Sequence, residues 1–463
     1  MRKQFISIKI VLFIFLVMGI MLLSETVSFA LPAFARKYDL SCTSCHTKPP
    51  RLNSFGEAFH MAGFQIPMVT EGEIRGKRRI GRIFSETNLL DIFSIVSHGD
   101  IARYSSQVTP SAEIQRGEFA LPFPENIGIY LTGTITDAIS YFFEFEHERQ
   151  DGSGASEFGL GKEAFVMIHL PALFREGSHT ISSHGNALAV HGPMMMVGKI
   201  DPSTNFSYPT NRQIIEAVPG SDDRFSIAPY AFASKFFGLL KTADGEKLSV
   251  TQPTLYNTTG SPGIDFHAMM GKVILQAGIM EGSNAGSSDD YNGKDFYLMG
   301  RMDFGGASYL SGSLSSFGYF GNDTARVSIS SNNSVLVDWR RIGIGGNLKL
   351  RFLDLYGAYV MDTLQNVPAT LSADFEKNAS GFTIEGDYLT TDRLLLSLRF
   401  DHLRAGGLIA QKQDGSIVTL QSRYYLRDNF SFYLRNSINT KSVSQNQIRN
   451  FKNLIASGIN FDF

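Results

Sequence analysis

The chain has 463 residues, a formal net charge of −2 and only 19% charged residues, a balance that offers no basic surface to nucleic acid or anionic lipid. With 44 glycines, 12% aromatics and a mean hydropathy of −0.05, it is not a helical membrane bundle. No apolar run after residue 30 approaches the roughly twenty residues that a spanning helix needs. Its only two cysteines lie three positions apart, which excludes a disulfide-stapled fold.

The N-terminus reads as an export signal. Arg2, Lys3 and Lys9 precede an apolar run from Ile10 to Leu23, and Ser28 and Ala30 form an A-x-A-like cleavage site. This pattern predicts a Sec signal peptide over residues 1–30, cut after Ala30. The apolar run is shorter than a membrane helix requires.

Residues 31–79 follow as a small segment that carries both cysteines. Cys42-Thr43-Ser44-Cys45-His46 is the C-x-x-C-H signature of c-type haem attachment. Two thiols one helical turn apart can each form a thioether to the same porphyrin, and the adjacent imidazole of His46 can ligate the iron as proximal ligand. A thioredoxin-like redox pair would sit beside a βαβ unit, which is not found here. A structural zinc site would need four ligands, and Cys42, Cys45, His46 and His60 do not have the usual order. Asn53–Phe64 has the spacing of a short helix, with Phe55, Phe59 and Phe64 near one face. His60, Met61 and Met68 are the candidates for a sixth iron ligand. Met61 is preferred, since a thioether packs well in an apolar pocket. His60 is the alternative, and an open or water-bound sixth position is the third.

From residue 80 to residue 463 the period changes to two, in segments of about ten residues. Tyr141, Phe143 and Phe145 alternate with Glu144, Glu146 and Glu148. Phe296, Leu298, Met302 and Phe304 alternate with Asp295, Arg301 and Asp303. Leu394, Leu396, Leu398 and Phe400 alternate with Ser397, Arg399 and Asp401, and Val418, Leu420 and Tyr424 with Gln421, Arg423 and Arg427. Tight connections at Asp137, Gly305-Gly306, Thr390–Asp392 and Leu426–Asn429 alternate with long polar ones at Gln150–Gly161, Asp201–Glu246, Glu281–Asn292 and Thr363–Ser380. Short turns on one side and long loops on the other predict an all-β fold, a transmembrane antiparallel β-barrel of about 16 strands with its first strand near residue 82. One connection breaks the rule. Pro171–Gly192 is long but falls on the short-turn side; it holds His179, His184 and His191 and leads into Met194-Met195-Met196, read as the start of a lipid-facing strand. Glu281 with Asp289-Asp290 in a long loop, and lumen-side Glu144, Glu146 and Glu148, are the carboxylates available to a hard cation. The last strand carries Ile455, Ser457, Ile459, Phe461 and Phe463 on one face. A terminal phenylalanine on such a strand resembles the assembly signal of bacterial outer-membrane barrels.

The haem segment is small for a free-standing domain. It is therefore expected to plug or cap the lumen at the periplasmic mouth. Pro32-Ala33-Phe34-Ala35-Arg36, the C-T-S-C-H motif and Pro50-Arg51-Leu52-Asn53-Ser54-Phe55-Gly56-Glu57-Ala58-Phe59 together resemble the fused monohaem cytochrome–porins of iron-oxidising bacteria. The match covers about thirty residues and extends to the barrel in architecture only. The resemblance implies one covalent c-type haem on Cys42, Cys45 and His46, an outer-membrane location, and electron flow from extracellular Fe(II) to a periplasmic c-type cytochrome. Two alternatives follow: an outward conduit to an extracellular acceptor, and a diffusive porin whose haem segment is a plug or redox gate.

Overall fold

The computed structural model describes residues 33–38, 40–66, 92–107, 118–123, 126–136, 138–149, 156–170, 193–208, 213–215, 240–241, 247–248, 261–281, 294–305, 310–326, 334–366, 375–404, 407–408, 414–440 and 451–462. Residues 1–30, Met68, the histidines of 171–192, Asp289, Asp290 and Phe463 lie outside the described residues.

Sixteen long antiparallel strands close into a barrel. They are β1 (Phe93–Gln107), β2 (Asn126–Thr136), β3 (Ile139–Arg149), β4 (Ser156–His169), β5 (Met194–Ile200), β6 (Ser261–Met270), β7 (Val273–Met280) and β8 (Asp295–Gly305), then β9 (Leu310–Arg326), β10 (Ser334–Leu350), β11 (Leu353–Gln365), β12 (Asn378–Thr391), β13 (Leu394–Arg404), β14 (Asp414–Arg427), β15 (Phe430–Asn439) and β16 (Phe451–Asp462). Closure is made by β16 on β1, with Leu454 opposite Ser105 and Phe461 opposite Ser97. The first half of β1 pairs with β2, and its second half with the three-residue strand Glu118–Ala120. The strand count agrees with the sequence reading; among the described residues the first barrel strand starts at Phe93, and residue 82, where the sequence places its start, lies outside them.

Alternation accounts for both faces. Leu398 in β13, Ile344 in β10, Leu420 in β14 and Leu298 in β8 are all more than half exposed, while Arg399, Arg341, Arg423 and Asp295 beside or near them are buried. A barrel with apolar side chains outside and charges inside satisfies every strand's backbone and suits a hydrocarbon surround. The inward charges are paired rather than scattered. Arg341 forks onto Asp362 with both bonds at 2.5 Å, and Arg399 Nε donates to Asp401 at 2.9 Å. Tyr433 and Arg435 both donate to Asp100 at 2.7 and 3.0 Å.

Two segments fill the lumen. The N-terminal segment lies at the end where the tight turns 271–272, 351–352, 392–393 and 428–429 gather. Ala33 donates to Ser94 Oγ at 2.8 Å, Gln65 to the Thr136 carbonyl at 3.2 Å, and Tyr425 to the Pro49 carbonyl at 2.8 Å. Above it, the chain leaving β5 turns inward instead of forming only a polar surface loop. Phe206, Tyr208, Ile214 and Ile215 there are completely buried. Phe206 packs edge-on to Phe317 at 5.1 Å, Ser207 N–H donates to Ser315 Oγ at 3.0 Å, and Arg399 and Arg423 donate to the carbonyls of Ile215 and Ile214. The expectation of a lipid-facing Met194-Met195-Met196 also changes. Met194 and Met196 face the lumen and join the buried cluster of Phe59, Phe64, Phe165 and Met167. With a period of two, only Met195 can face outward.

A charge on the outer face tests this assignment of faces. Leu398→Arg, at mid-strand and 55% exposed, is expected to lower folding stability in lipid vesicles by about 2–4 kcal/mol, read by denaturant titration. Ser397→Arg, on the opposite face, should instead be limited by the space in the lumen.

Candidate functional site

Three short helices build the site: α1 (Ala33–Tyr38), α2 (Cys42–Cys45) and α3 (Ser54–Met61). Helix α2 is a single turn, so it carries both thiols on adjacent levels with His46 as its C-terminal cap residue. Both cysteines are free thiols. His46–Lys48 and Arg51–Leu52 then form a small antiparallel ribbon that returns the chain to α3.

Asn53 ties the motif to α3. Its side-chain oxygen accepts from Gly56 N–H at 2.9 Å as an N-cap. Its amide nitrogen donates to the carbonyls of Ser44 at 3.0 Å and Thr43 at 3.2 Å, and its backbone N–H donates to the Cys45 carbonyl at 2.8 Å. Gly56 allows the close approach, because a Cβ there would fall inside the van der Waals radius of the Cys45 carbonyl oxygen. After α3, Gly63 turns the chain with φ +70°, and a Cβ on it would meet Ser140 and Met194 of the wall.

Charged anchors fix this unit in the barrel. Arg51 is 3% exposed; its Nη2 donates to Glu385 Oε1 and lies 3.2 Å from Asp387 Oδ2, and its guanidinium sits 3.6 Å over the Tyr356 ring. Glu385 Oε2 accepts from Tyr208 at 2.8 Å and lies 3.6 Å from Arg399. One wall carboxylate thus joins the N-terminal segment, the inner loop and the lumen arginines. Glu57 of α3 pairs with Arg301 and lies 3.7 Å from Lys349, and Lys349 also donates to the Leu52 carbonyl at 2.8 Å.

An aromatic cluster completes the unit. Phe34 stacks on Phe64 at 4.7 Å and meets Phe59 edge-on at 5.3 Å; Phe64 stacks on wall Phe142 at 5.6 Å. Of the sixth-ligand candidates, Met61 is 2% exposed and packs with Met269 and Ile274 of the wall. Its carbonyl lies 3.3 Å from His267 Nε2, and His267 Nδ1 lies 3.0 Å from Asp265. His60 meets the Phe64 ring edge-on at 5.2 Å. The two side chains have different neighbours, as adjacent positions on a helix require. Among the described residues no group of three or more His, Cys, Asp or Glu is placed to hold a metal ion.

The donor set fits a c-type haem. Two free thiols one turn apart are followed directly by an imidazole, and the turn is held rigid by Asn53. The thiols are not tuned for thiolate chemistry. Burial, then Asp428 and Asp462, push Cys42 up to about 11, and burial alone pushes Cys45 up. A redox-active or metal-binding thiol needs the opposite shift.

The sequence placed a short helix at Asn53–Phe64; the structure has it at Ser54–Met61, with Asn53 as its cap and Gly63 and Phe64 beyond its end. The sequence did not reveal why Arg51, Asn53, Gly56 and Glu57 stand where they do. Nor did it flag the inner loop, where Phe206, Tyr208, Ile214 and Ile215 stand among polar neighbours.

No protein-family model and no curated protein matches the chain. Solved structures similar to it include the anion-selective porin from Comamonas acidovorans, at 12% identity over 80% of this chain and 98% of that one with a TM-score of 0.49. Salmonella typhi OmpF in complex with daunomycin follows at 9% identity, 80% and 97% coverage and a TM-score of 0.48. The outer-membrane channel DcaP of Acinetobacter baumannii gives 10%, 80% and 96%, and 0.47. The barrel assignment rests on this chain's own closed strand pairing.

Two measurements probe the site. Arg51→Ala leaves Asp387 and Glu385 facing each other in the lumen, and should cost about 3–5 kcal/mol. Limited proteolysis should then cut the N-terminal segment while the barrel keeps its heat-modifiable gel mobility. In the haem-free protein at pH 8, Cys42 should alkylate roughly a hundredfold more slowly than an unfolded cysteine, because a shift from 9.0 to about 11 lowers the thiolate fraction by that factor. Mass spectrometry of partially labelled protein gives both rates.

Proposed function

We propose that the protein is an outer-membrane electron-transfer protein, in which a barrel encloses one covalent c-type haem between an extracellular donor, Fe(II) first, and a periplasmic c-type cytochrome. Bound at Cys42 and Cys45 with His46 as proximal ligand, the haem would supply one-electron chemistry. Met61 is the candidate for the sixth position and His60 the alternative.

The observation carrying this reading is that the C-x-x-C-H turn is locked inside the mouth of the barrel. Asn53 fixes the turn on α3, and Arg51 and Glu57 fix α3 and the ribbon to the wall. A group attached to the turn would be held at one depth and one orientation, which electron transfer requires and simple plugging does not. Short turns mark the periplasmic end of outer-membrane barrels, so the haem segment would face a soluble carrier. The long-loop end would face the exterior.

The chain's residues set the environment. Phe34, Phe59, Phe64 and Phe142 exclude water from one side of α3. The inner loop, residues 201–208 and 213–215, occupies the lumen above the segment. A second reading, a diffusive porin with the segment as gate, draws support from the charged lumen of Arg341, Arg399 and Arg423. An outward conduit would use the same parts in reverse.

The discriminating experiment mixes the haem-loaded, detergent-solubilised protein with Fe(II) in stopped flow at the pH of the source habitat, with Cys42→Ala as control. Fast loss of the oxidised haem spectrum, together with low conductance in planar bilayers, is the expected outcome. A haem inert to Fe(II) removes the iron-donor reading. Large open-channel conductance in the same preparation would favour the porin.

A further inference from the structure

The outer face of the barrel carries polar side chains at matching heights on four successive strands. On β10 the outward positions, counted away from the tight turn 351–352, are Leu350, Leu348, Gly346, Ile344 and Ile342, and the next is Arg340. The same ten-residue span runs from Leu353 to Thr363 on β11, from Tyr388 to Asn378 on β12 and from Leu394 to Arg404 on β13. Ten residues at about 3.3 Å each, tilted by about 40°, climb about 25 Å, the height of a barrel's apolar band. Arg340, Thr363, Asn378 and Arg404 therefore stand at the far edge of that band, on the side of the long loops.

Their direction is set inside regular ladders. Arg340 pairs with Thr363 and Thr363 with Asn378, while Arg404 pairs with Ser380 one step lower. Arg341, Asp362 and Ala379 beside the first three are buried, as are Arg399 and Asp401 on β13, so the period of two turns the four outward. Arg340, Asn378 and Arg404 are exposed. Among the described residues no carboxylate lies within ion-pair distance of Arg340, and Asp338, two positions away, accepts from Asn366. Thr363 Oγ1 donates to Asn378 Oδ1 at 3.1 Å, so the Asn378 amide nitrogen keeps its hydrogens for another acceptor. Asp414 of β14 stands opposite Arg404 in the register, which makes Arg340 the stronger seat for an outside anion. Just below, the Phe382 ring lies 5.6 Å from Phe400 and 5.5 Å from His402, and aromatic rings of this kind sit at headgroup level.

We infer that this strip binds the phosphorylated headgroup of an outer-leaflet lipid, one phosphate on Arg340 and Asn378 and a second on Arg404. Guanidinium groups take phosphate through paired N–H donors. The two arginines stand on strands three places apart, about 16 Å between backbones, a span that suits a headgroup with two phosphates. The inference is independent of the electron-transfer reading, since neither haem nor plug touches this face.

The test is native mass spectrometry of the full haem-loaded protein in detergent, titrated with diphosphoryl lipid A, monophosphoryl lipid A and phosphatidylglycerol. Diphosphoryl lipid A should be retained most. Arg340→Gln should weaken it roughly fivefold, and Arg340→Gln with Arg404→Gln roughly twenty-five-fold. Both losses should shrink at high salt, with heat-modifiable mobility unchanged. Lys272→Gln, at the tight-turn end, should leave retention as it was. An unchanged double variant, or an equal loss in Lys272→Gln, would overturn the inference. So would equal retention of diphosphoryl lipid A and either other lipid by the unaltered protein, a comparison that stands even where a variant does not fold.

Discussion

The buried guanidinium of Arg51 is the constraint on which the rest of the lumen depends. A cation removed from water needs anions, and Glu385 and Asp387 supply them from one strand, β12. Two carboxylates so close on one lumen face would repel each other without a cation between them. Tyr356 covers the guanidinium and Tyr208 takes the second oxygen of Glu385. The N-terminal segment, the inner loop and the wall therefore meet at one electrostatic knot. None of the three can shift without leaving a buried charge uncompensated.

A segment of this size has too little interior of its own, and the wall provides the rest. Phe142, Phe165, Met167, Met194 and Met196 all face inward beside α3, at positions where a water-filled barrel would carry polar side chains. Methionine suits such a seat, because an unbranched thioether can fill an irregular gap against aromatic rings. The apolar lumen patch and the apolar face of α3 explain one another. Neither would be tolerable if exposed to water.

The barrel was legible because its signal is repeated. Leu398 outside and Arg399 inside, or Leu420 outside and Gln421 inside, report one face each, and the alternation of short and long connections carries the strand number. The Cys42–Cys45 turn was legible because the motif calls for two thiols one helical turn apart, and the chain forms that turn. What stayed hidden depends on contacts between distant residues. Arg51 and Glu385 are 334 positions apart, and nothing local marks them as partners. Met194 and Met196 were misplaced for the same reason. Apolar residues on a barrel strand default to lipid, and only the plug makes an apolar inward face sensible. The inward turn of the chain after β5 was hidden by its polar neighbours, since four buried apolar side chains scarcely alter the composition of a long loop.

Rigidity is graded through this arrangement. Asn53 holds the Cys42–His46 turn by the backbone carbonyls of Thr43, Ser44 and Cys45, and Gly56 packs against the last of these, contacts that break only if α3 itself moves. Helix α3 is in turn held at both ends, by Glu57 with Arg301 and Lys349 near its start and by His267 on the Met61 carbonyl at its finish. The carboxylate of Glu57 in the first turn complements the helix dipole. The anchors thus oppose tilting of the helix as well as sliding along the lumen. A simple stopper needs only to fill space, and bulk hydrophobic packing would have sufficed for that. Charged and hydrogen-bonding partners along this eight-residue helix fix its orientation, and with it that of the Cys42–His46 turn that it supports.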